Sequence, residues 1–171
     1  MRSFLIGFLV ALVLTAAGVY AYFRFGFAPV ATQAPSMPFE SSLAHLALHA
    51  RITKDGIRQS PLPPDEPNLL AGAHIYRDHC AVCHGLAGLP ETAIAAGMFP
   101  RPPQFFAGQG VTDDPPGETY WKAANGIRLT GMPGFIKSLT GTQLWQVSLL
   151  LANADKLPAN VRAAVGQLPA R

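Results

Sequence analysis

The only two cysteines in this 171-residue chain stand three apart with a histidine directly behind them, Cys80-Ala81-Val82-Cys83-His84. On a helical turn, side chains at i and i+3 face the same way. Such a turn presents two thiols side by side and carries the imidazole next to them. Two thiols can add to the two vinyl groups of a haem while the following side chain reaches its iron, so the motif reads as a c-type haem attachment site. A disulfide or half of a zinc site would use the same spacing without needing His84. A structural zinc usually takes a second Cys/His pair, and a thioredoxin-type pair sits in a βαβ pattern. Neither accompanies Cys80 and Cys83.

An iron held by His84 wants a ligand on its other face, and four methionines compete for the place. Met1 and Met37 are excluded by position, one opening the chain and the other lying in a proline-rich stretch. Met98 follows His84 by 14 residues, in a loop that must also pass the histidine side of the haem. Met132 lies between glycines and a proline in Thr130-Gly131-Met132-Pro133-Gly134, a backbone free to bring a thioether to the open face. Met132 is the expected sixth ligand, and Met98 is expected to pack at the haem edge, the common use of a flexible thioether.

The paired cysteines with His84, Asn125-Gly126-Ile127 closing a helix, and Thr130 to Phe135 together resemble a class I c-type cytochrome over roughly residues 67 to 154. The resemblance implies an all-α fold, three to five helices around one covalent haem c bound through Cys80 and Cys83, with His84 and Met132 on the iron. It also implies that Gly72 lets the first helix of the domain cross the last against an aromatic, a place that Trp145 matches.

Local signals give the rest of the organisation. Residues 3–23 carry no charge; a helix of about 20 residues spans about 30 Å, enough for a bilayer core. Arg2 precedes the run and Tyr20, Tyr22 and Phe23 end it like an interfacial belt, so residues 1–25 read as an uncleaved anchor more than as a signal peptide, whose apolar core is shorter. Residues 26–66 read as a proline-rich connector interrupted by a short amphipathic helix near 39–53. Its Leu43, Leu46, Ala47 and Ala50 fall on one face. His45 and His49 lie four apart within it and are read as ordinary polar-edge histidines.

Residues 67–171 read as the haem domain. Asn68 is expected to cap a helix to about residue 81 whose inner face is Leu69, Ala73, Tyr76 and Cys80. The loop 85–110 should pass the haem edge and give His84 a carbonyl acceptor, since a ligating imidazole normally donates its other N–H. Asp113 or Asp114 is expected to cap a helix ending at Asn125-Gly126. Thr140 and Gln143 form a capping-box pair opening a helix to about Asn153, and 155–171 read as a tail with one further turn. Arg128 and Trp121 stand where they could reach a haem propionate.

From residue 67 onward there are eight Lys or Arg against six Asp or Glu, and two propionates would cancel that excess. A nearly neutral domain argues against nucleic acid, which needs clustered cations. No serine triad, phosphate loop or carboxylate pair points to other chemistry. The resemblance therefore implies an electron carrier rather than an enzyme. It would be anchored in a bacterial inner membrane with the haem on the periplasmic side, with redox proteins as partners: a quinol-oxidising complex and a terminal oxidase or reductase. A fixed subunit of such a complex is a variant, and a haem-based gas sensor or peroxidase-like enzyme with a displaceable methionine is the alternative.

Overall fold

The computed structural model describes residues 1–106 and 114–166; within them it has helices and no strand. The chain divides into two compact units, Met1–Leu43 and Ala44–Arg171. The first is dominated by α1 (Arg2–Arg24), in which no residue is buried. It is long and apolar enough to cross a membrane. α2 (Glu40–Asp55) begins in the first unit and runs into the second.

The second unit is built on α3 (Glu66–His79), α6 (Pro116–Asn125), α7 (Gly141–Ala152) and α8 (Ala159–Val165), with single turns α4 (Ala81–His84) and α5 (Ala93–Ala96) between them. α7 packs on both α3 and α6, and α8 packs on α3. Leu69, Ala73 and Tyr76 of α3 are buried as their 4 and 3 spacing predicts, against Leu144, Leu150 and Leu151 of α7 in one core. A side chain on Gly72 would overlap the Gln146 carbonyl and come within 3.1 Å of Leu150 Cβ. The glycine is thus what lets α3 and α7 cross so closely. The Trp145 ring, next to Gln146 on α7, stacks on Tyr120 of α6 at 4.3 Å.

The cap of α3 is Asp65 rather than Asn68: the Asp65 carboxylate accepts from Asn68 N–H at 3.1 Å. Pro67, in the first turn, lacks the N–H that a cap would otherwise have to satisfy. α7 has the capping box read from Thr140 and Gln143. α6 ends at Asn125 with Gly126 at φ 69°, but its start differs from expectation. Pro115 is the N-cap and carries no side-chain cap, and Asp114 pairs with Lys122 instead (3.3 Å); Asp113 lies outside the described residues. Glu118, in the first turn, is buried and meets Lys122 Nζ at 2.7 Å.

Two segments differ from their sequence reading. α8 is part of the core, since Val161, Ala164 and Val165, at 3 and 4 spacing, are buried in it. In α2 the face formed by Leu43, Leu46, Ala47 and Ala50 is exposed, whereas Ile52 is 2% exposed. Leu48, one turn before Ile52, is half-buried. Just beyond α2, a side chain on Gly117 would overlap the Arg58 carbonyl, so α6 and the segment after α2 touch through backbone. The Trp121 indole donates to Asp55 Oδ2 at 2.9 Å and ties α2 to α6.

Candidate haem site

The end of α3 and the turn α4 carry Cys80, Cys83 and His84. The Cys83 and His84 N–H groups both donate to the Cys80 carbonyl (3.1 and 2.9 Å), which closes the turn and presents both thiols and the imidazole together. Both cysteines are free and half-buried. Burial, with Cys83 adding to it, pushes the Cys80 thiol up to about 12, which keeps it protonated. Among the described residues no group of three or more His, Cys, Asp or Glu is arranged so that it could hold a metal ion.

His84 is held from several directions. Its Nδ1 lies 2.9 Å from the Pro103 carbonyl. A carbonyl only accepts, so Nδ1 carries the proton and Nε2 keeps its lone pair. The Phe105 ring lies flat on the imidazole, 4.4 Å away and 7° from parallel. Burial pulls the His84 ring below its ordinary pKa, while the hydrogen bond to Pro103 acts the other way. A neutral ring with a free Nε2 is the form that binds a metal. Behind it, the Tyr76 hydroxyl lies within donating distance of both the His84 and Gly85 carbonyls (2.9 and 2.7 Å). Gln104 Nε2 donates to Cys83 O at 2.9 Å.

These groups open into one cleft. Cys80, Cys83, His84, Met98 and Met132 all line it, with apolar walls from Phe105, Phe135, Val147 and Leu151. The Met132 N–H donates to Thr130 Oγ1 (3.1 Å), whose hydroxyl donates to Ile127 O (2.7 Å), and Ile127 N–H returns to Met132 O (3.2 Å). The loop is joined to α6 by Phe135 N–H on Ala123 O (2.9 Å). The structure thus brings together all four residues read as haem-binding, and the competitor Met98 with them. Paired thiols, a neutral imidazole, thioether sulfur and apolar walls fit a haem.

Arg128 is exposed and does not line the cleft, nor does Trp121; the cations that do are Arg101, paired with Glu91, and Lys122. His45 and His49 are exposed on α2. Three contributors escaped sequence reading. Leu48 reaches the cleft wall from α2, and its four-residue spacing to Ile52 was the available signal. His79 lines the cleft and meets Phe135 edge-on at 6.0 Å. Gln104 has no local signal at all.

Comparison with known proteins bears on this site. A family model described as cytochrome C oxidase, cbb3-type, subunit III matches residues 67–149. No curated protein matches the chain. Three chains of solved structures match. One belongs to a reducing HAO-like protein complex of Kuenenia stuttgartiensis, with 28% identity and a TM-score of 0.47, the match covering 54% of this chain and 46% of that one. The chain thus spans less than half the length of that relative.

Proposed function

With residues 67–149 a c-type cytochrome domain, we propose that the protein transfers single electrons through one haem c. Cys80 and Cys83 would hold the haem through their thiols, and His84 and Met132 would ligate its iron. The observation that carries this reading is the His84 Nδ1 to Pro103 hydrogen bond beside a cleft that both Cys80 and Met132 line. With Nδ1 committed to Pro103, Nε2 is left as the acceptor nitrogen of a residue that lines the cleft. Haem held there supplies reversible one-electron Fe(III)/Fe(II) chemistry, and a methionine ligand raises its potential relative to two histidines.

The chain's own residues have three tasks. His84, fixed by Pro103, Phe105 and Tyr76, keeps one orientation in both oxidation states. The apolar walls keep water from the iron. The Thr130 turn holds the Met132 backbone so that its sulfur can close the remaining position. No residue has to move a proton, so the protein acts as a carrier and not as an enzyme.

Residues 1–25 serve as a single-pass anchor in a bacterial inner membrane, 26–66 as a connector whose α2 also lends Leu48 to the cleft, and 67–171 as the haem domain on the periplasmic side. The chain then works as a tethered carrier, or as the cytochrome subunit of a respiratory complex, between a quinol-oxidising complex and a terminal oxidase or reductase. The test is the optical spectrum of the oxidised full-length protein beside Met132→Ala. A sulfur-to-iron charge-transfer band that Met132→Ala removes supports the closed site. A wild type that lacks the band and binds carbon monoxide rapidly when reduced would favour the ligand-binding alternative. Purification in mild detergent separates the two carrier forms, since a lone monomer counts against a fixed subunit.

A further inference from the structure

Two methionines line the cleft, yet a His/Met site uses only one. Met98 follows α5, where its N–H donates to Ala95 O (3.2 Å). α5 is itself tied to the attachment turn, because the hydroxyl of its cap Thr92 donates to Val82 O at 2.6 Å. From that base the Met98 side chain reaches the opposite loop. A side chain on Gly131 would overlap the Met98 methyl and come within 3.5 Å of its sulfur. The methyl therefore fills the notch that Gly131 leaves, one residue before Met132. Gly131 is not in the left-handed region, so what its lack of a side chain provides is room.

We propose that Met98 is a positioning residue for the sixth ligand: its thioether pins the 127–133 loop against the cleft and so keeps Met132 from swinging away. The inference rests on the His84/Met132 pair and deepens it. The turn around Met132 is closed by bonds among Ile127, Thr130 and Met132 themselves. Those bonds fix the shape of the turn but do not tie it to the histidine side. Met98 makes that tie, and an unbranched, flexible thioether suits a gap between two irregular loops.

The experiment uses the full-length holoprotein in mild detergent, with Met98→Ala, Met98→Leu, Gly131→Ala and the double variant Met98→Ala/Gly131→Ala, and Met132→Ala as reference. The readouts are the sulfur-to-iron band of the oxidised form and the rate of carbon monoxide binding to the reduced form. Met98→Ala is expected to keep the band and to bind carbon monoxide roughly tenfold faster than wild type, mid-range for coupling between touching residues. Met98→Leu restores bulk without sulfur and returns the rate to near wild type. Gly131→Ala, which evicts the methyl, matches Met98→Ala, and the double variant is no faster than either.

Wild-type rates in both Met98→Ala and Gly131→Ala, with a fast Met132→Ala, would overturn the proposal. So would loss of the band in both Met98→Ala and Met98→Leu while Met132→Ala keeps it, because Met98 would then be the ligand. A wild type without the band, unaffected by Met132→Ala, removes the ligand pair itself and the proposal with it.

Discussion

The two walls of the cleft are held by different means. On the histidine side, bonds from three separate segments, α3, the cap of α5 and the loop at 103–104, converge on one turn: Pro103 on the ring, Tyr76 on the His84 and Gly85 carbonyls, Gln104 on Cys83 and Thr92 on Val82. On the methionine side the bonds are short-range, within the Thr130 turn, with an anchor to α6 at Phe135 and the Met98 contact at Gly131. A group fixed by several independent partners keeps its place when one is lost. A group fixed by a small closed turn moves with that turn. The histidine side is therefore the rigid platform and the methionine side the wall that can open, as a site needs if ligand loss is to begin anywhere.

The sharpest way to break this comparison is at the platform itself. His84→Ala should abolish the low-spin spectrum altogether, the largest effect expected, and a retained low-spin spectrum would mean that another residue serves as the proximal ligand. Gly72→Ala should cost about 1–3 kcal/mol by pushing α3, which leads into Cys80, away from α7. A denaturant titration of the holoprotein reads it, and an unchanged midpoint would refute the close crossing.

Tyr76→Phe leaves two carbonyls without their buried donor and should cost about 1–2 kcal/mol. The loss should appear in the melting temperature with the sulfur-to-iron band intact, because the platform has other ties. Thr130→Val removes the turn's hydroxyl, and its main effect should fall on the other readout: faster carbon monoxide binding, with a smaller drop in melting temperature than Tyr76→Phe gives. If Tyr76→Phe opened the site and Thr130→Val did not, the two walls would have exchanged roles.

The smallest effect concerns α2. Asp55 is held below its usual carboxylate pKa by the hydrogen bond from Arg51 first and from the Trp121 indole second. With the folded value depressed, its contribution is full above the ordinary Asp pKa near 3.8 and is lost as pH falls through the lower folded value. Tryptophan fluorescence should therefore stay flat from neutral pH to about 4 and change below it. Asp55→Asn should remove that acid-limb step, and a step that persists would belong to another carboxylate.

Much of the site was legible because its chemistry is local. Cys80, Cys83 and His84 occupy one turn, and no other residue is needed to see what they present together. Helix ends were legible where a cap is built from neighbours, as with Thr140 and Gln143 or Asn125-Gly126. The cap of α3 was misread by three residues because Asp65 and Asn68 are both good caps, and what separates them is the bond that Asp65 makes to Asn68 N–H.

What sequence could not decide has one common cause: choice among partners far apart in the chain. α2 has apolar residues on roughly opposite sides, Leu43, Leu46, Ala47 and Ala50 against Leu48 and Ile52, and periodicity cannot say which side is covered. Packing chose the second, with the Asp55–Trp121 bond joining α2 to α6. The acceptor for His84 could have been any of many carbonyls in a Gly- and Pro-rich loop, and the path of that loop selected Pro103. Met98 and Met132 are chemically the same side chain, and the sequence could rank them only by position. The missing side chain of Gly131 lets one pack against the loop that carries the other. Covalent order determined that two thiols and an imidazole stand together, because those residues are neighbours in the chain; tertiary structure decided the orientation of His84 and the support of Met132, because those depend on where the backbone returns.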